Sequence, residues 1–179
     1  HLTRLYIAKP GELHPDLQDV ARPFLHHRHA YDFKSMTVLG SVENHEYVSS
    51  WSAGEAFNAY KFVSMSVGEP KLVWSHTSNL RLIEKRLYLP GESYYLDNTQ
   101  IHRVVFRPCP ATGWLAVQIE EHRPHPRPDY CWAREMLDDI PYKGQLYTPM
   151  AEFEVKTLMR EFIEAKIEAA MNRHMRIAR

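Results

Sequence analysis

The chain is short of cysteine, of net charge and of long apolar runs, and each shortage excludes a class of protein. Its 179 residues contain two cysteines, Cys109 and Cys131, too few for a disulfide framework, which favours a reducing, cytoplasmic setting. Lys plus Arg and Asp plus Glu both number 22, so no positive excess attracts nucleic acid. No apolar run approaches the roughly 20 residues of a membrane span. We therefore expect a cytoplasmic protein that binds neither nucleic acid nor a membrane.

No phosphate-binding loop and no dinucleotide fingerprint occurs in the sequence, so nucleotide cofactors are not indicated. What is abundant is histidine, with 11 residues, and aromatic side chains, with ten Tyr, seven Phe and four Trp. The hydrophobic share of 44% and the charged share of 25% are those of an ordinary globular domain. A large number of histidines favours metal binding or acid–base chemistry, and the positions of the histidines in the sequence decide whether they form such a site.

Short β-prone segments separated by Gly and Pro dominate the first two thirds of the chain, after an N-terminal arm. Such spacing is typical of an antiparallel sandwich or barrel. The predicted strands cover residues 5–8, 33–39, 42–47, 60–67, 71–74, 80–89, 101–106 and 114–119. We expect the strand at 42–47 to pair back on 33–39 across Gly40.

The C-terminal segment has a different pattern and predicts a long helix. Residues 150–171 contain neither Pro nor Gly, and Thr148-Pro149 is a plausible helix start. Apolar residues recur there at three- and four-residue steps: Val155, Leu158, Met159, Phe162, Ile163, Ile167, Ala170 and Met171. We expect this face to pack on the β-domain or on a partner subunit, which leaves a homodimer open. The predicted division is a β-domain over 1–147 and an amphipathic helix over 148–179.

One histidine cluster has the spacing of metal ligands. In a strand, side chains at i and i+2 share a face, so His27 and His29 project together. His102 begins a later strand that could return beside this pair. Three neutral imidazoles leave coordination positions open, which is a catalytic rather than a structural pattern. His26 falls on the opposite face and is predicted to be a neighbour rather than a ligand.

These residues resemble the motifs of the cupin superfamily. His27-Arg28-His29 is followed by Gly40 eleven residues after His29, and Gly91 precedes His102 by eleven residues, as in the two cupin motifs. The resemblance covers about residues 20–120. It implies a mainly β fold, a cupin-like double-stranded β-helix (jelly-roll) barrel followed by a long C-terminal α-helix. It also implies a divalent transition metal held by His27, His29 and His102.

One departure from the cupin pattern affects the expected ligand set. The glutamate that usually follows the second histidine is replaced by Phe33 or Lys34, and Glu43 is left as a candidate fourth ligand. A three-histidine set resembles the thiol-dioxygenase branch of the cupins. We therefore favour Fe(II), with Zn, Ni, Mn and Cu left open by the ligand type.

The resemblance implies a non-haem iron oxygenase that acts on a small polar or anionic molecule. Two alternatives stay open: a non-redox metal-dependent isomerase or lyase, and a metal-free or sensory domain that binds a small molecule. Candidates to line the pocket or hold the substrate are Tyr31, Tyr95, Arg103 and Gln118. No separate electron-carrying cofactor is expected.

Overall fold

The computed structural model describes residues 2–11, 26–63, 71–124, 130–137, 140–141 and 152–177. Within these ranges the chain is mainly β, with one C-terminal helix. The elements are β1 Leu2–Ala8, β2 His26–Arg28, β3 Tyr31–Leu39, β4 Ser41–Ser50, β5 Glu55–Val63, β6 Lys71–Tyr88, β7 Ser93–Leu96, β8 Ile101–Arg107, β9 Leu115–Pro124, β10 Tyr130–Ala133, β11 Ile140–Pro141 and α1 Glu152–Ile177. No helix in the described part of the chain is both long and apolar enough to cross a membrane.

The strands form two antiparallel sheets. The smaller sheet has the order β1-β9-β3-β7, and the larger has the order β11-β6-β4-β8-β2-β10-β5, with a further pairing between β6 and β5. The metal-ligand candidates His27 and His102 lie on adjacent strands of the larger sheet, β2 and β8. The order of the strands therefore brings together two segments that are far apart in the sequence.

Gly40 turns the chain from one sheet into the other. Its φ is +81°, and a Cβ atom there would lie 2.6 Å from the carbonyl oxygen of Arg107, so only glycine fits without strain. The expected pairing of residues 42–47 with 33–39 is wrong, because β3 pairs with β7 and β9 whereas β4 pairs with β6 and β8. A left-handed glycine between two strands can make a sheet-to-sheet corner as well as a hairpin.

The two strands expected at 71–74 and 80–89 are one strand, β6, of 18 residues. Its first part pairs with β5, from Lys71 to Leu80. Its second part pairs with β4, from Asn79 to Tyr88. No Pro or Gly interrupts this segment, so nothing in the backbone stops the strand where its partner changes.

Apolar side chains form a core between the sheets and a second core on the other face of the larger sheet. The first contains Phe33, Val42, Tyr88, Tyr94, Leu96, Leu115 and Val117. The second contains Phe57, Ala59, Leu80, Ile101 and Trp132. Adjacent residues of a strand face opposite sides of its sheet, so Ile101 and His102 contribute to different faces.

The predicted helix is present, but its buried face is narrower than expected. Phe162 and Ala165 are buried, and Leu158, Met159 and Ala169 pack beside them on the apolar cluster around Trp114. By contrast Val155, Ile163, Ile167 and Met171 are exposed on the single chain, so these four residues do not pack on the β-domain. The stripe that touches the sheet follows 158, 162, 165 and 169. The proposed start at Thr148-Pro149 and the 147/148 domain boundary lie outside the described residues.

Candidate metal centre

Strands β2 and β8 bring the three predicted histidines into one group. His27 and His102 are directly opposite each other in the ladder, and His29 follows β2 by one residue. The ring centroids of His27 lie 4.8 Å from those of His29 and 4.4 Å from those of His102. One ligand nitrogen from each ring lies within 4.8 Å of the other two. Strand alternation thus produces the group that the sequence spacing indicated.

One pair of these nitrogens has a separation that fits a shared metal ion. The Nε2 atoms of His29 and His102 are 3.1 Å apart. Two nitrogens at about 2.0–2.1 Å from one ion, at an angle of roughly 100° to each other, would be separated by about 3.1 Å. The donor set of three imidazoles also suits divalent transition metals. The separation of the His29 and His102 nitrogens and the donor type of all three residues therefore fit such an ion.

Asn44 fixes the tautomer of His102. The His102 Nδ1–H donates to Asn44 Oδ1 at 2.9 Å, which leaves the Nε2 lone pair directed towards His29. The Asn44 side chain is held in turn, because its Nδ2 donates to Glu46 Oε1 at 3.2 Å. Gln100 Nε2 donates to the other Glu46 oxygen at 3.1 Å. This chain of polar contacts orients the ligand nitrogen, as partners behind a metal ligand do.

Burial keeps the imidazoles of His29 and His102 neutral. It lowers the pKa of His29 to about 3, with a further contribution from His27. It also lowers the pKa of His102 well below its ordinary value, with added repulsion from His27 and His29. A neutral imidazole has the free lone pair that a metal needs, and no proton has to be displaced at neutral pH.

Aromatic rings cover the group on the side of the smaller sheet. Phe33 is buried, with its ring centroid 4.8 Å from that of His29 and 5.7 Å from that of His102. The Tyr31 ring is 5.1 Å from the His29 ring. Of the four predicted pocket residues, Tyr31 therefore lies beside the three histidines. Its phenol group can donate a hydrogen bond to a bound molecule.

The other three pocket candidates face elsewhere. Tyr95 is 55% exposed and lies beside His122, with ring centroids 6.2 Å apart. Arg103 is on the opposite face of β8 from His102 and pairs in the ladder with His45. Gln118 shares its face of β9 with Ala116, which packs on the helix cluster, and not with Val117, which packs between the sheets. The structure brings none of these three to the imidazoles.

Glu43 lies in an ionic cluster on the face of the larger sheet that is opposite to His102. It pairs with Val105 in the ladder, which puts it on the opposite face from His102. Its carboxylate contacts His45 Nε2 at 2.6 Å, Lys85 Nζ at 2.9 Å and Arg107 Nη2 at 2.5 Å. The hydrogen bond from Lys85, followed by that from His45, lowers the Glu43 pKa to about 2. Its oxygens are committed to these partners rather than directed at the imidazoles.

His26 is a neighbour of the group and not a member of it, as the alternation along β2 predicts. Its ring packs on Tyr47 at 4.6 Å and on Phe57 at 4.7 Å, on the far side of the sheet. Burial, and then the charge of Arg103, lower its pKa to about 4.

Sequence reasoning did not find Asn44, Glu46 or Gln100. Their role depends on the register of β4 against β8, in which Glu46 is directly opposite His102. The one available signal was the alternation of Asn44 and Glu46 along a predicted strand.

Comparison with protein-family models, with curated proteins and with solved structures finds no match to this chain.

Proposed function

We propose that this chain is a cupin-like metal protein in which His27, His29 and His102 hold a divalent transition metal for catalysis on a small polar or anionic molecule. The observation that carries the proposal is the convergence of three ligand nitrogens to within 4.8 Å of one another. The fixed tautomer of His102 supports it. An imidazole whose second ring nitrogen is held by a polar partner, as His102 is, is typical of a metal ligand.

Three features support the cupin part of the proposal. The histidines and glycines occur at cupin spacing and in cupin order. The chain forms two antiparallel sheets with the histidines on the larger one. The strand pairings also lead from β6 through β4, β8, β2, β10 and β5 back to β6. Ladders that return to their starting strand are expected of a barrel-like arrangement.

The residues around the imidazoles have distinct tasks in this proposal. Asn44 holds the proton on His102 Nδ1 and so keeps Nε2 available as a ligand. Phe33 excludes water from the side of the smaller sheet. Tyr31 offers a hydroxyl group to orient a bound molecule. When bound, a divalent metal supplies Lewis acidity and, as Fe(II), the capacity for reaction with O2.

The neutral ligand set favours an anionic substrate. Three imidazoles contribute no negative charge, so they leave the full charge of a bound cation uncompensated. A carboxylate or thiolate of the substrate would compensate it. Among the reactions open to such a site we favour a dioxygenase, in which both atoms of O2 enter the substrate and no external electron donor is consumed.

The first experiment tests the metal. Elemental analysis of the protein, loaded separately with Fe(II), Zn and Ni and then desalted, should give about one ion per chain. His27→Ala, His29→Ala and His102→Ala should each lose the ion. His76→Ala, an exposed histidine of β6, and Glu43→Gln should retain it. Unchanged stoichiometry in the triple alanine variant would refute the site.

The second experiment tests the reaction class. The Fe(II) protein is incubated with a panel of small thiols and carboxylates in an oxygen electrode, and the products are identified by mass spectrometry. We expect O2 uptake that depends on one class of substrate and is lost in His102→Ala. Turnover that proceeds without O2, and equally well with Zn, would instead select the isomerase or lyase alternative.

A further inference from the structure

A pocket opens beside the candidate metal centre, on the other side of Glu46 and Gln100 from Asn44. Its volume is about 480 Å³, within the range of small-molecule sites. Strands β2, β4, β6, β8 and β10 all contribute to its walls, as does the turn before β8. His27, His29 and His102 are not among the described residues that line it. The pocket can therefore be considered as a site of its own.

One wall of this pocket is aromatic. The rings of Tyr130 and Trp132 lie 5.9 Å apart at an interplanar angle of 32°, and Tyr47 also lines the pocket. The Arg28 guanidinium sits 4.8 Å from the centroid of the Tyr130 ring. Aromatic faces with a guanidinium beside them favour a flat, apolar group that carries a negative charge at one end.

The charges in the pocket are balanced. Among the described lining residues, Arg28 is the one with a fixed positive charge and Glu46 is the one carboxylate. A ligand with only a negative charge would be attracted by Arg28 but repelled by Glu46. A ligand with only a positive charge would be attracted by Glu46 but repelled by Arg28. A molecule that has both charges satisfies both side chains.

Glu46 has capacity for such a partner. Its two oxygens accept one hydrogen bond each from described side chains, from Asn44 and from Gln100. A carboxylate has about four acceptor sites. A ligand ammonium group can therefore bind Glu46 without displacing the contacts that hold it in place.

We propose that this pocket is a second small-molecule site, specific for a zwitterion with a flat ring such as an aromatic amino acid. The ligand carboxylate binds Arg28, its ammonium group binds Glu46, and its ring packs on Tyr130 and Trp132. The proposal concerns a site without a metal. It shares Glu46 with the polar contacts behind His102, but it does not require a metal to be bound.

Calorimetric titration of the protein in EDTA tests the charge pattern directly. The probes are L-phenylalanine, N-acetyl-L-phenylalanine, which lacks the ammonium charge, and L-phenylalaninamide, which lacks the carboxylate. We expect each derivative to bind at least about tenfold more weakly than L-phenylalanine, since each loses one charge-assisted contact. Equal affinity for all three, or no heat of binding with L-phenylalanine at millimolar concentrations, would overturn the proposal.

Variants locate the binding. Ser49→Trp places a bulky ring at an exposed position of the pocket wall and should abolish the titration, whereas Ser52→Trp, at an exposed bend that does not line the pocket, should not. Arg28→Gln should weaken L-phenylalanine more than it weakens L-phenylalaninamide. Thermal unfolding of each variant establishes that it is folded. Wild-type affinity in folded Ser49→Trp and Arg28→Gln would place the ligand elsewhere and refute the site.

Discussion

His102 is the residue on which the candidate metal centre depends most, because it is 2% exposed and both of its ring nitrogens have neighbours within hydrogen-bond distance. Its Nδ1 proton is held by Asn44, which frees Nε2 as a ligand. Loss of such a partner typically weakens a metal site by about 10- to 100-fold. We therefore predict that Asn44→Leu lowers zinc affinity by about that factor.

Competition against a chromophoric chelator measures this affinity. Asn58→Leu is a suitable control, because Asn58 is on β5 and its side chain contacts Arg134, Trp74 and Thr77 instead. An Asn44→Leu protein that binds zinc as tightly as the Asn58→Leu protein would show that Asn44 does not orient the ligand.

The buried imidazoles also predict how stability depends on pH in metal-free protein. The pKa of His29 is lowered to about 3 and that of His26 to about 4, against an ordinary value of 6.5. As the pH falls, the unfolded chain takes up these protons before the folded chain does. The contribution of each neutral imidazole to the free energy of unfolding is therefore fully present above pH 6.5 and is lost as the pH falls below it. From pH 7 to pH 5, each such imidazole should reduce the free energy of unfolding by roughly 2 kcal/mol.

Urea unfolding in EDTA at several pH values measures this slope. His29→Gln cannot take up the proton, so its stability should fall less steeply over the same interval. A wild-type free energy of unfolding that is flat between pH 7 and pH 5, or an identical slope in His29→Gln, would contradict the prediction.

At the level of elements, Gly40 and Gly91 provide a matched pair. Both have positive φ, +81° and +91°, but a Cβ at Gly91 would meet nothing within 4 Å, whereas one at Gly40 would meet Arg107 and Leu115. Gly91→Ala should lower the free energy of unfolding by about 1–2 kcal/mol, because alanine disfavours the left-handed backbone conformation. Gly40→Ala should cost at least about 2 kcal/mol more, because the corner between the sheets has to open. Chemical denaturation of both variants measures the difference, and equal losses would contradict the steric role of Gly40.

Neighbouring residues of α1 test which face of the helix is buried. Phe162 is 4% exposed and packs near Trp114, whereas Ile163 is 52% exposed. Phe162→Ala should destabilise the protein by about 3–5 kcal/mol. Ile163→Ala should change stability by no more than about 0.5 kcal/mol. If Ile163→Ala were the more damaging variant in solution, this face of the helix would be covered by a partner.

The sequence predicted features that depend on neighbouring residues better than features that depend on which strands pair. His27 and His29 were predictable because alternation along a strand is local, and the Gly91-to-His102 spacing located the third histidine. The partners of each strand were not predictable, because Gly40 gives the same local signal for a hairpin as for a corner. The same limit applies to Asn44 and Glu46, whose roles depend on the register with β8, and to Ile163, whose apolar character does not reveal which stripe of the helix meets the sheet.

At the scale of the whole molecule, the candidate metal centre joins parts of the chain that are distant in sequence. The contact between His29 and His102 spans 73 residues, so an unfolded chain seldom presents both nitrogens together. A metal that binds the folded protein and not the unfolded chain stabilises it by about 2.7 kcal/mol when its free concentration is 100 times the Kd. For a domain of this size, we predict a rise in the midpoint of thermal unfolding of roughly 5–10 °C with zinc at that excess. Differential scanning calorimetry with and without EDTA measures the rise, and His76→Ala should show it in full. His102→Ala should not respond to zinc, and an undiminished rise in that variant would assign the stabilisation to a different site.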